Sequence, residues 1–498
     1  MDKLNVGIIK KAKRPERILQ FGEGVFLRAF ADEMIDKLNE SGLFDGSIVV
    51  VPPTPRGSTE PLNSQDCLYT VLLRGLEDGG KTNVSRVVTS ISRAINAYAA
   101  FDEYIACARN PDLQVIISNT TEAGIAYDPD AKPDDRPQLG FPAEIAAFLY
   151  ERYTHFAGDS GRGLAIVPCE LIDRNGAALR ECVLRHAREW GYGDGFINWV
   201  CTACGFADTL VDRIVVGYPA DEKDALAETL GYEDALLVAG EPFHFWAIRP
   251  DKGIGITSPL YLPNLLPFDK IGLNVLYTDD VELYSARKVR LLNGAHTSLA
   301  VCAIPEGFEF VGEAAAYPLF DEYLRAVMFD EAPLTMTPEL GADELDSFAK
   351  AVLDRFANPF IKHKLAGIML NATSKLKVRL LPTIAEYNRR AGKLPKALTF
   401  ALAAFIAYYR DEAAYAIRDD AGALEFYKSE WDACAGSPAS TQPGLEAIHT
   451  LAAHVLANTD LWGIDLNAVP GLTQKTASHI YKITTDGITA ALRSALDE

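Results

Sequence analysis

Residues 17–29 are the strongest indication of the fold class, because an apolar run leads there directly into a glycine turn: Arg17-Ile18-Leu19-Gln20-Phe21-Gly22-Glu23-Gly24-Val25-Phe26-Leu27-Arg28-Ala29. Residues 17–21 predict a strand, and residues 27–38 predict the helix that follows it. Two glycines at such a turn let the backbone bend tightly and approach a pyrophosphate, while the helix N-terminus supplies positive potential. Leu27 replaces the third glycine of the common fingerprint, yet the position after a strand and before a helix indicates a dinucleotide site.

Other short apolar runs continue the alternation of strands and helices through the first half of the chain. Residues 48–51, 115–118 and 164–167 predict strands, and residues 93–108 predict a helix. Each predicted strand is apolar throughout, which is typical of strands that are buried on both faces of a parallel sheet. The first half therefore predicts βα units and a Rossmann-like sheet.

The character of the sequence changes after residue 275. Segments rich in Ala, Leu and Glu with helical spacing follow at residues 285–302, 342–356, 361–380 and 397–409. Pro and Gly cluster between these segments. We therefore predict an α/β protein with an N-terminal Rossmann-like parallel-sheet domain over residues 1–275. A mainly α-helical C-terminal domain, which would bind the substrate and supply the catalytic residues, follows over residues 276–498.

The net charge limits the classes of partner. The chain carries 48 Lys and Arg against 68 Asp and Glu, a net charge of −20. Such a surface repels nucleic acid and anionic membranes, so neither is an expected partner. Residues 1–22 hold no apolar stretch long enough for a secretory signal, and residues 397–409 are too few for a membrane span of roughly 20 residues. We expect a cytoplasmic protein whose partner is a small molecule, and an anionic substrate would need a local cluster of cations.

The cysteines indicate neither a disulfide scaffold nor a zinc site. Eight cysteines in 498 residues are too sparse for a scaffold of disulfides. Cys201 and Cys204 form a C-x-x-C pair, but a zinc site would need a second ligand pair at suitable spacing, and none follows nearby. Reduced thiols and no metal are therefore expected.

The end of the predicted second strand bears on the choice between NAD and NADP. Dinucleotide folds place a carboxylate there, roughly 20 residues after the glycine turn, to bind the adenosine ribose. The sequence instead reads Val51-Pro52-Pro53-Thr54-Pro55-Arg56, without a carboxylate. Arg56 suits either a 2′-phosphate or a solvated loop, so the residues leave NAD and NADP both open.

Lys288, Asn293 and His296 form the most informative polar group of the chain. On an α-helix at about 100° per residue, Asn293 lies about 140° and His296 about 80° round from Lys288, so all three fit one wide face. A lysine of lowered pKa can donate a proton to a ketone during hydride transfer, an Asn amide can hold the oxyanion, and a His can orient the hydroxyl. The alternative interpretation is a helix with a solvated lysine and a capping or buried asparagine.

The same three residues, written K-x-x-x-x-N-x-x-H, resemble the catalytic signature of the mannitol dehydrogenase-like long-chain polyol dehydrogenases. The glycine turn resembles that family's G-x-G-x-F-x-R motif, with Phe26 and Arg28 in register. Residues 120–124, 210–214 and 241–243 resemble further blocks of the family. The resemblance runs in order over most of the chain, from residue 17 to beyond residue 410.

This resemblance implies hydride transfer with NAD, with Lys288 as the general acid/base and with Asn293 and His296 binding the substrate oxygen. It also implies a set of cofactor-binding residues in the turn and after a later strand: Ile18, Leu19, Gln20, Phe21, Gly22, Glu23, Gly24, Val25, Phe26, Leu27, Arg28, Ala29, Asn119, Thr121 and Glu122. The stretches most similar to family members that act on a hexuronate, a sugar acid, rather than on a hexitol, are residues 18–29, 118–125, 168–176, 209–219 and 288–297. A non-catalytic nucleotide- or sugar-binding protein is the contrasting hypothesis.

Two parts of the implied site stay open. Mannitol-type members carry a second oxyanion asparagine after a Cys-Asp pair, and the matching place here reads Cys169-Glu170-Leu171. Either Asn175 takes that part or the oxyanion site is built differently. A hexuronate also carries a carboxylate, which needs a cation in the pocket. The candidate residues, each equally compatible with a solvated surface position, are Lys362, His363, Lys364, Lys375, Lys377 and Arg379.

Overall fold

The structure, a computed structural model, describes residues 2–77, 79–120, 123–336, 338–435 and 443–498. The chain divides into two compact units, one of Met1–Arg74 and Lys81–Tyr284, the other of Gly75–Gly80 and Ser285–Glu498. The strands are β1 (Glu16–Phe21), β2 (Ser47–Val51), β3 (Tyr69–Glu77), β4 (Gly80–Val88), β5 (Ile91–Ala94), β6 (Val115–Ser118), β7 (Ala165–Pro168), β8 (Gly205–Phe206), β9 (Asp208–Asp212), β10 (Val215–Gly217), β11 (Val238–Gly240), β12 (Phe245–Arg249) and β13 (Val275–Tyr277).

Helices follow or connect these strands and then dominate the second unit. Those up to the unit boundary are α1 (Val25–Arg28), α2 (Ala31–Glu40), α3 (Glu60–Ser64), α4 (Phe101–Ala106), α5 (Phe141–His155), α6 (Asn175–Glu189), α7 (Asp194–Ala203), α8 (Lys223–Leu230), α9 (Leu262–Leu265) and α10 (Val281–Arg287). Those beyond it are α11 (Gly294–Ala303), α12 (Val311–Ala315), α13 (Pro318–Arg325), α14 (Ala342–Phe356), α15 (Leu365–Ile368), α16 (Ala372–Arg379), α17 (Leu381–Ala391), α18 (Lys396–Tyr408), α19 (Glu412–Tyr415), α20 (Ala421–Ala435), α21 (Leu445–Ala457), α22 (Thr459–Trp462), α23 (Leu472–Asp486) and α24 (Ile488–Asp497).

The main sheet of the first unit has six strands in the order β5-β2-β1-β6-β7-β8. Every neighbouring pair in this sheet is parallel. At the end of β1, Phe21 lies opposite Val51 of β2 and opposite Ser118 of β6, so these three strands end at one edge of the sheet. The glycine turn leaves the sheet at this edge. The predicted α/β class with a parallel Rossmann-like sheet is confirmed.

Alternate side chains of β1 enter two different hydrophobic cores, one on each face of the sheet. Ile18 packs in the core that contains Phe30 and Trp246, whereas Leu19 and Phe21 pack in the other core. Full burial of a large apolar side chain contributes roughly 1.5–3 kcal/mol to stability. The double burial explains why this strand is apolar along its length rather than alternating.

Two smaller sheets accompany the main sheet and were not predicted from the sequence. Their strand orders are β10-β11-β3-β4 and β13-β12-β9. In the second of them β12 pairs antiparallel with β9 and parallel with β13. Several of these strands are only three residues long, which is too short for a periodic pattern to stand out.

The predicted helix at residues 93–108 is wrong. Ile91–Ala94 forms β5, the edge strand beside β2, and the helix α4 begins only at Phe101. Between them the Asn96 side chain accepts hydrogen bonds from the backbone N–H groups of Tyr98 (2.9 Å) and Ala99 (3.2 Å). This local turn separates the two elements.

The predicted helix at residues 27–38 is interrupted, because the chain leaves helical geometry at Phe30 (φ −134°, ψ −89°) between α1 and α2. Side chains bind two carbonyl groups at the interruption. The Tyr69 hydroxyl donates to the Arg28 carbonyl (2.9 Å), and the buried Arg213 guanidinium donates to the Ala29 carbonyl (2.6 Å). The break is therefore satisfied by partners distant in sequence.

The second unit is mainly helical, as predicted. Residues 342–356 form one helix, α14, as expected. Residues 361–380 do not form one helix: α15 and α16 are separated at Asn371, which adopts a left-handed conformation (φ +53°) and whose N–H donates to the Arg418 carbonyl (3.0 Å). None of the described helices combines the length and the apolar character that a bilayer crossing requires.

Candidate active site

The two glycines of the turn, Gly22 and Gly24, have different structural roles. Gly22 has φ +126°, and a Cβ on it would lie 2.9 Å from the carbonyl oxygen of Asn119 and 3.2 Å from the Leu27 side chain. Gly24 has φ −65°, and a Cβ on it would meet no atom within 4 Å. The chain itself thus requires Gly22. The second glycine leaves open space at the start of α1, which suits the close approach of a pyrophosphate.

Side chains beneath the turn hold its backbone in place. Gln20 is buried and donates to the Gly22 carbonyl (3.0 Å), and the Gly22 N–H donates to the Val51 carbonyl (2.9 Å). Arg28, only 8% exposed, donates to the Glu23 carbonyl (3.2 Å) and to the Leu236 carbonyl. The Arg28 side chain therefore stabilises the backbone of the turn through these hydrogen bonds.

The other predicted cofactor residues of this stretch divide by exposure. The side chains buried in the cores, and therefore not exposed to a ligand, are those of Ile18, Leu19, Phe21, Leu27 and Ala29. By contrast, Val25 is exposed, Glu23 is half-buried, and Phe26 is half-buried with its ring stacked on Phe30 (4.9 Å between centroids).

The residues after β6 lie beside the same turn. The Asn119 N–H donates to the Phe21 carbonyl (3.0 Å), and the Asn119 amide donates to the Cys169 carbonyl (2.8 Å). This places Asn119 at the edge of the sheet where β1 ends. Thr121 and Glu122, also predicted to bind the cofactor, lie outside the described residues.

Glu170 follows Cys169, at the position where the resemblance to mannitol-type members implies an aspartate. Its carboxylate accepts hydrogen bonds from the Ser118 hydroxyl and from the N–H and hydroxyl of Thr120, each 3.0 Å. Burial raises the pKa of the Glu170 carboxyl. The side chain thus joins the residues after β6 to the residues after β7.

Asn175 is a structural clamp. It is fully buried, and its amide nitrogen lies 3.0 Å from the Glu170 carbonyl and 3.1 Å from the Pro168 carbonyl. Its amide oxygen accepts from the N–H groups of Thr209 and Gly176, each 2.9 Å. The amide nitrogen and the amide oxygen of Asn175 are both hydrogen-bonded inside the first unit. This arrangement favours an oxyanion site that is built without Asn175.

Lys288 and Asn293 mark the two ends of a π-helical stretch, Lys288–Asn293, which joins α10 to α11. A regular α-helix would place residues five apart about 140° apart round its axis. The i→i+5 hydrogen bonding of a π-turn accommodates the extra residue and brings such a pair towards one side of the helix, and π-turns are frequent at functional sites. Both side chains are half-buried.

His296 lies in the next turn and is enclosed by rings. It is 8% exposed, stacks on Phe356 with 4.1 Å between ring centroids, and contacts His363 edge-on at 4.9 Å. Burial lowers the pKa of His363, which favours the neutral form of this imidazole. The structure therefore brings together His296 and one of the predicted cations, and adds Phe356, which has no signal in the sequence.

Arg379 is the cation that contacts the helix of the signature. Its guanidinium donates to the hydroxyl of Thr297 (3.0 Å), the residue next to His296. A Cβ on Gly294 would lie 3.3 Å from the Arg379 carbonyl, so the small residue permits the close approach of α16 to α11. Arg379 is half-buried, and burial lowers its pKa.

The other candidates for binding the substrate carboxylate differ from Arg379 in their exposure and in their contacts. Lys362 is exposed, and Lys364 is exposed and paired with Glu309 (2.9 Å). Lys375 is half-buried and donates to the Ile368 carbonyl (2.9 Å), and burial, followed by the charge of Arg379, lowers its pKa. Lys377 lies against Gly463, where a Cβ would be 3.2 Å from its ammonium nitrogen.

Comparison with known protein families identifies the family to which this chain belongs. Residues 16–255 match the family described as the mannitol dehydrogenase Rossmann domain, and residues 280–484 match the mannitol dehydrogenase C-terminal domain. The chain belongs to the mannitol dehydrogenase family. It is an oxidoreductase that acts on a CH–OH group, as the resemblance of its motifs implied.

Relatives within the mannitol dehydrogenase family include curated proteins of Escherichia coli. Altronate oxidoreductase of strain O7:K1 (IAI39 / ExPEC) is 43% identical over 497 residues, covering 99% of each chain. Altronate oxidoreductase of Escherichia coli O1:K1 / APEC has the same identity and coverage.

Solved structures of the mannitol dehydrogenase type support the fold of this family member. The ternary complex of Pseudomonas fluorescens mannitol 2-dehydrogenase with NAD and D-mannitol is 24% identical, covers 100% of both chains and has a TM-score of 0.68. A D-sorbitol dehydrogenase in substrate-free form is 20% identical, covers 98% of this chain and 100% of its own, and has a TM-score of 0.75.

The C-x-x-C pair of this family member consists of free thiols. Cys204 is buried and Cys201 is half-buried. Burial raises the pKa of Cys204 to about 12, which disfavours the thiolate that metal binding requires. Among the described residues, no group of three or more His, Cys, Asp or Glu side chains is arranged to hold a metal ion.

Proposed function

We propose that this chain is a tagaturonate reductase, which reduces D-tagaturonate to D-altronate with NADH in the cytoplasm and catalyses the reverse oxidation. The reaction would be a step in hexuronate (galacturonate) breakdown. The observation that carries this proposal is the 43% identity to altronate oxidoreductases over 99% of the chain. The motif resemblance to hexuronate-specific members of the family points the same way.

Residues 1–275 would bind the dinucleotide, and the fit of the glycine turn supports NAD as the cofactor. The open space at Gly24 and the backbone N–H groups of residues 24–26 would receive the pyrophosphate. Asn119 lies beside the turn and, with Thr121 and Glu122, would contact the rest of the dinucleotide. NAD, when bound, supplies or accepts the hydride.

Residues 276–498 would supply the proton and bind the reacting oxygen. During reduction the Lys288 ammonium donates a proton to the oxygen of the former ketone, and during oxidation the Lys288 amine removes the proton from the hydroxyl. The Asn293 amide donates a hydrogen bond to the developing oxyanion, and His296 orients the hydroxyl. The rings of Phe356 and His363 hold His296 in one orientation. The scheme uses a lysine as the acid, so no metal is required.

Arg379 is our candidate for the substrate carboxylate, and we expect Arg379→Met to raise KM for tagaturonate about 10- to 100-fold. This range corresponds to one hydrogen bond to a charged group, roughly 1.5–3 kcal/mol. Arg379 is favoured over the exposed Lys362 and the paired Lys364 because its guanidinium donates a hydrogen bond to Thr297, the residue after His296 on α11.

Steady-state kinetics with tagaturonate and with fructose, which lacks the carboxylate, would test this assignment. The KM for fructose should change little in the Arg379→Met variant. Arg325→Met removes an exposed arginine that pairs with Asp321 (2.8 Å) and serves as the control. An unchanged KM for tagaturonate would exclude Arg379 as the residue that binds the substrate carboxylate.

The experiment that tests the function is NADH oxidation with tagaturonate, fructuronate and fructose in parallel, repeated with NADPH. We expect the highest kcat/KM with tagaturonate and NADH. Preference for fructuronate would identify a fructuronate reductase (mannonate oxidoreductase), whose substrate differs in stereochemistry, and preference for fructose would identify a hexitol 2-dehydrogenase. Binding of dinucleotide without turnover of any substrate would favour a non-catalytic nucleotide- or sugar-binding protein.

A further inference from the structure

The strand that should recognise the adenosine ribose lacks the expected carboxylate. In dinucleotide folds an Asp or Glu at the tip of β2 binds the ribose 2′-hydroxyl and repels the 2′-phosphate of NADP. Here β2 ends at Val51, and no Asp or Glu occurs between Val51 and Thr59. A preference for NAD therefore needs a carboxylate from another part of the first unit.

The glycine turn supplies such a carboxylate. A Cβ built on Gly57, in the loop after β2, would lie 2.7 Å from the Oε1 atom of Glu23 and 2.2 Å from the Cβ of Pro52. The Glu23 carboxylate thus lies against the loop that follows β2. Because β1 and β2 are parallel neighbours, this loop begins at the same sheet edge as the turn. Glu23 is half-buried, so its carboxylate remains accessible to a ligand.

Hydrogen bonds hold the backbone of the turn at Glu23 and the backbone of the loop at Gly57. The Glu23 carbonyl accepts from Arg28 (3.2 Å), which holds the backbone of the turn. On the other side, the Gly57 N–H donates to the Thr54 carbonyl (3.1 Å), and the Asn96 amide donates to the Gly57 carbonyl (3.2 Å). The backbone of the turn and the backbone of the loop are thus each held by hydrogen bonds where the Glu23 carboxylate approaches Gly57.

We propose that Glu23 replaces the missing strand-tip carboxylate, binds the adenosine 2′-hydroxyl and selects NAD over NADP. The inference rests on the proposed function only in taking a nicotinamide dinucleotide as the ligand. A carboxylate accepts a hydrogen bond from the 2′-hydroxyl, whereas it repels a 2′-phosphate that carries negative charge of its own.

Arg56 is a cation in the same loop that would favour NADPH if the Glu23 carboxylate were neutralised. It is exposed in the same loop, directly before Gly57, and has no ion-pair partner among the residues that the structure describes. A guanidinium suits a 2′-phosphate. With Glu23 neutralised, Arg56 would be the nearest loop cation to attract NADPH.

Dissociation constants of NADH and NADPH, measured by quenching of protein fluorescence, test the proposal without a turnover assay. We expect Glu23→Gln to weaken NADH about tenfold and to tighten NADPH, which shifts the ratio of the two constants by about 100-fold, because hydrogen bonds to charged groups are each worth tenfold or more. Adding Arg56→Gln should remove the gain for NADPH. Glu60→Gln, which neutralises the next acidic residue along the chain, should leave the ratio unchanged.

The outcomes separate this inference from the proposed function. An unchanged ratio in a Glu23→Gln protein that melts at the wild-type temperature would overturn the role of Glu23, as would equal affinity of the wild type for NADH and NADPH. If Glu23→Gln melts early, Glu23→Ser is measured in its place, with the same expected shift. Failure of the wild type to bind either dinucleotide would instead overturn the proposed function.

Discussion

Replacing Lys288 with alanine is expected to lower kcat for tagaturonate reduction by about 10²–10⁴, the usual contribution of a positioned general acid. The residue begins the π-helical stretch Lys288–Asn293 and is half-buried, so its backbone belongs to a helical element rather than to a loop. The affinity for NADH should stay within about twofold, because the change removes a proton donor from the second unit and leaves the glycine turn intact.

Rapid mixing with NADH and tagaturonate would measure the rate of hydride transfer, and fluorescence titration would measure the affinity for NADH. Lys350→Ala is the matched control, since Lys350 is an exposed lysine of α14 that pairs with Asp346 (2.6 Å). Turnover of Lys288→Ala at the wild-type rate would exclude Lys288 as the general acid/base and leave the proton source to another residue.

The sequence predicts the parts of the structure in which neighbours along the chain decide the outcome. The residues of β1 and β2 are apolar along their length because both faces are buried, and this pattern is visible in the sequence alone. The order of the signature residues Lys288, Asn293 and His296 was likewise readable as one segment. What the helical spacing of 100° per residue could not give was the π-turn, because the extra residue per turn depends on how the helix packs.

Features that depend on partners distant in sequence escaped prediction. The break after α1 is held by Tyr69 and Arg213, and neither position can be inferred from the local pattern. The enclosure of His296 by Phe356 joins two residues that lie 60 positions apart in the sequence. The candidate cations for the substrate carboxylate illustrate the same limit. Nothing in the sequence favours one of the six, and only the packing of α16 on α11 distinguishes Arg379.

Substituting Gly22 with alanine is expected to reduce both stability and NADH binding. Its φ of +126° disfavours any residue with a Cβ, and such strain costs roughly 1–3 kcal/mol. The Cβ would also lie 2.9 Å from the Asn119 carbonyl oxygen, a backbone atom that cannot rotate away. Asn119 is itself held at both its N–H and its side chain, by the Phe21 and Cys169 carbonyls, so the turn rather than its neighbour must move.

Gly24→Ala is the informative counterpart, because a Cβ there meets nothing within 4 Å and the φ of −65° suits alanine. Thermal unfolding should show an early transition for Gly22→Ala and a wild-type transition for Gly24→Ala. NADH titration should nevertheless show weaker binding for Gly24→Ala, by about tenfold for the loss of one hydrogen bond of roughly 1.4 kcal/mol. Wild-type NADH affinity in a folded Gly24→Ala protein would mean that the dinucleotide does not approach the open side of the turn. The turn would then serve only to connect β1 to α1, and the cofactor would have to be sought elsewhere at the sheet edge.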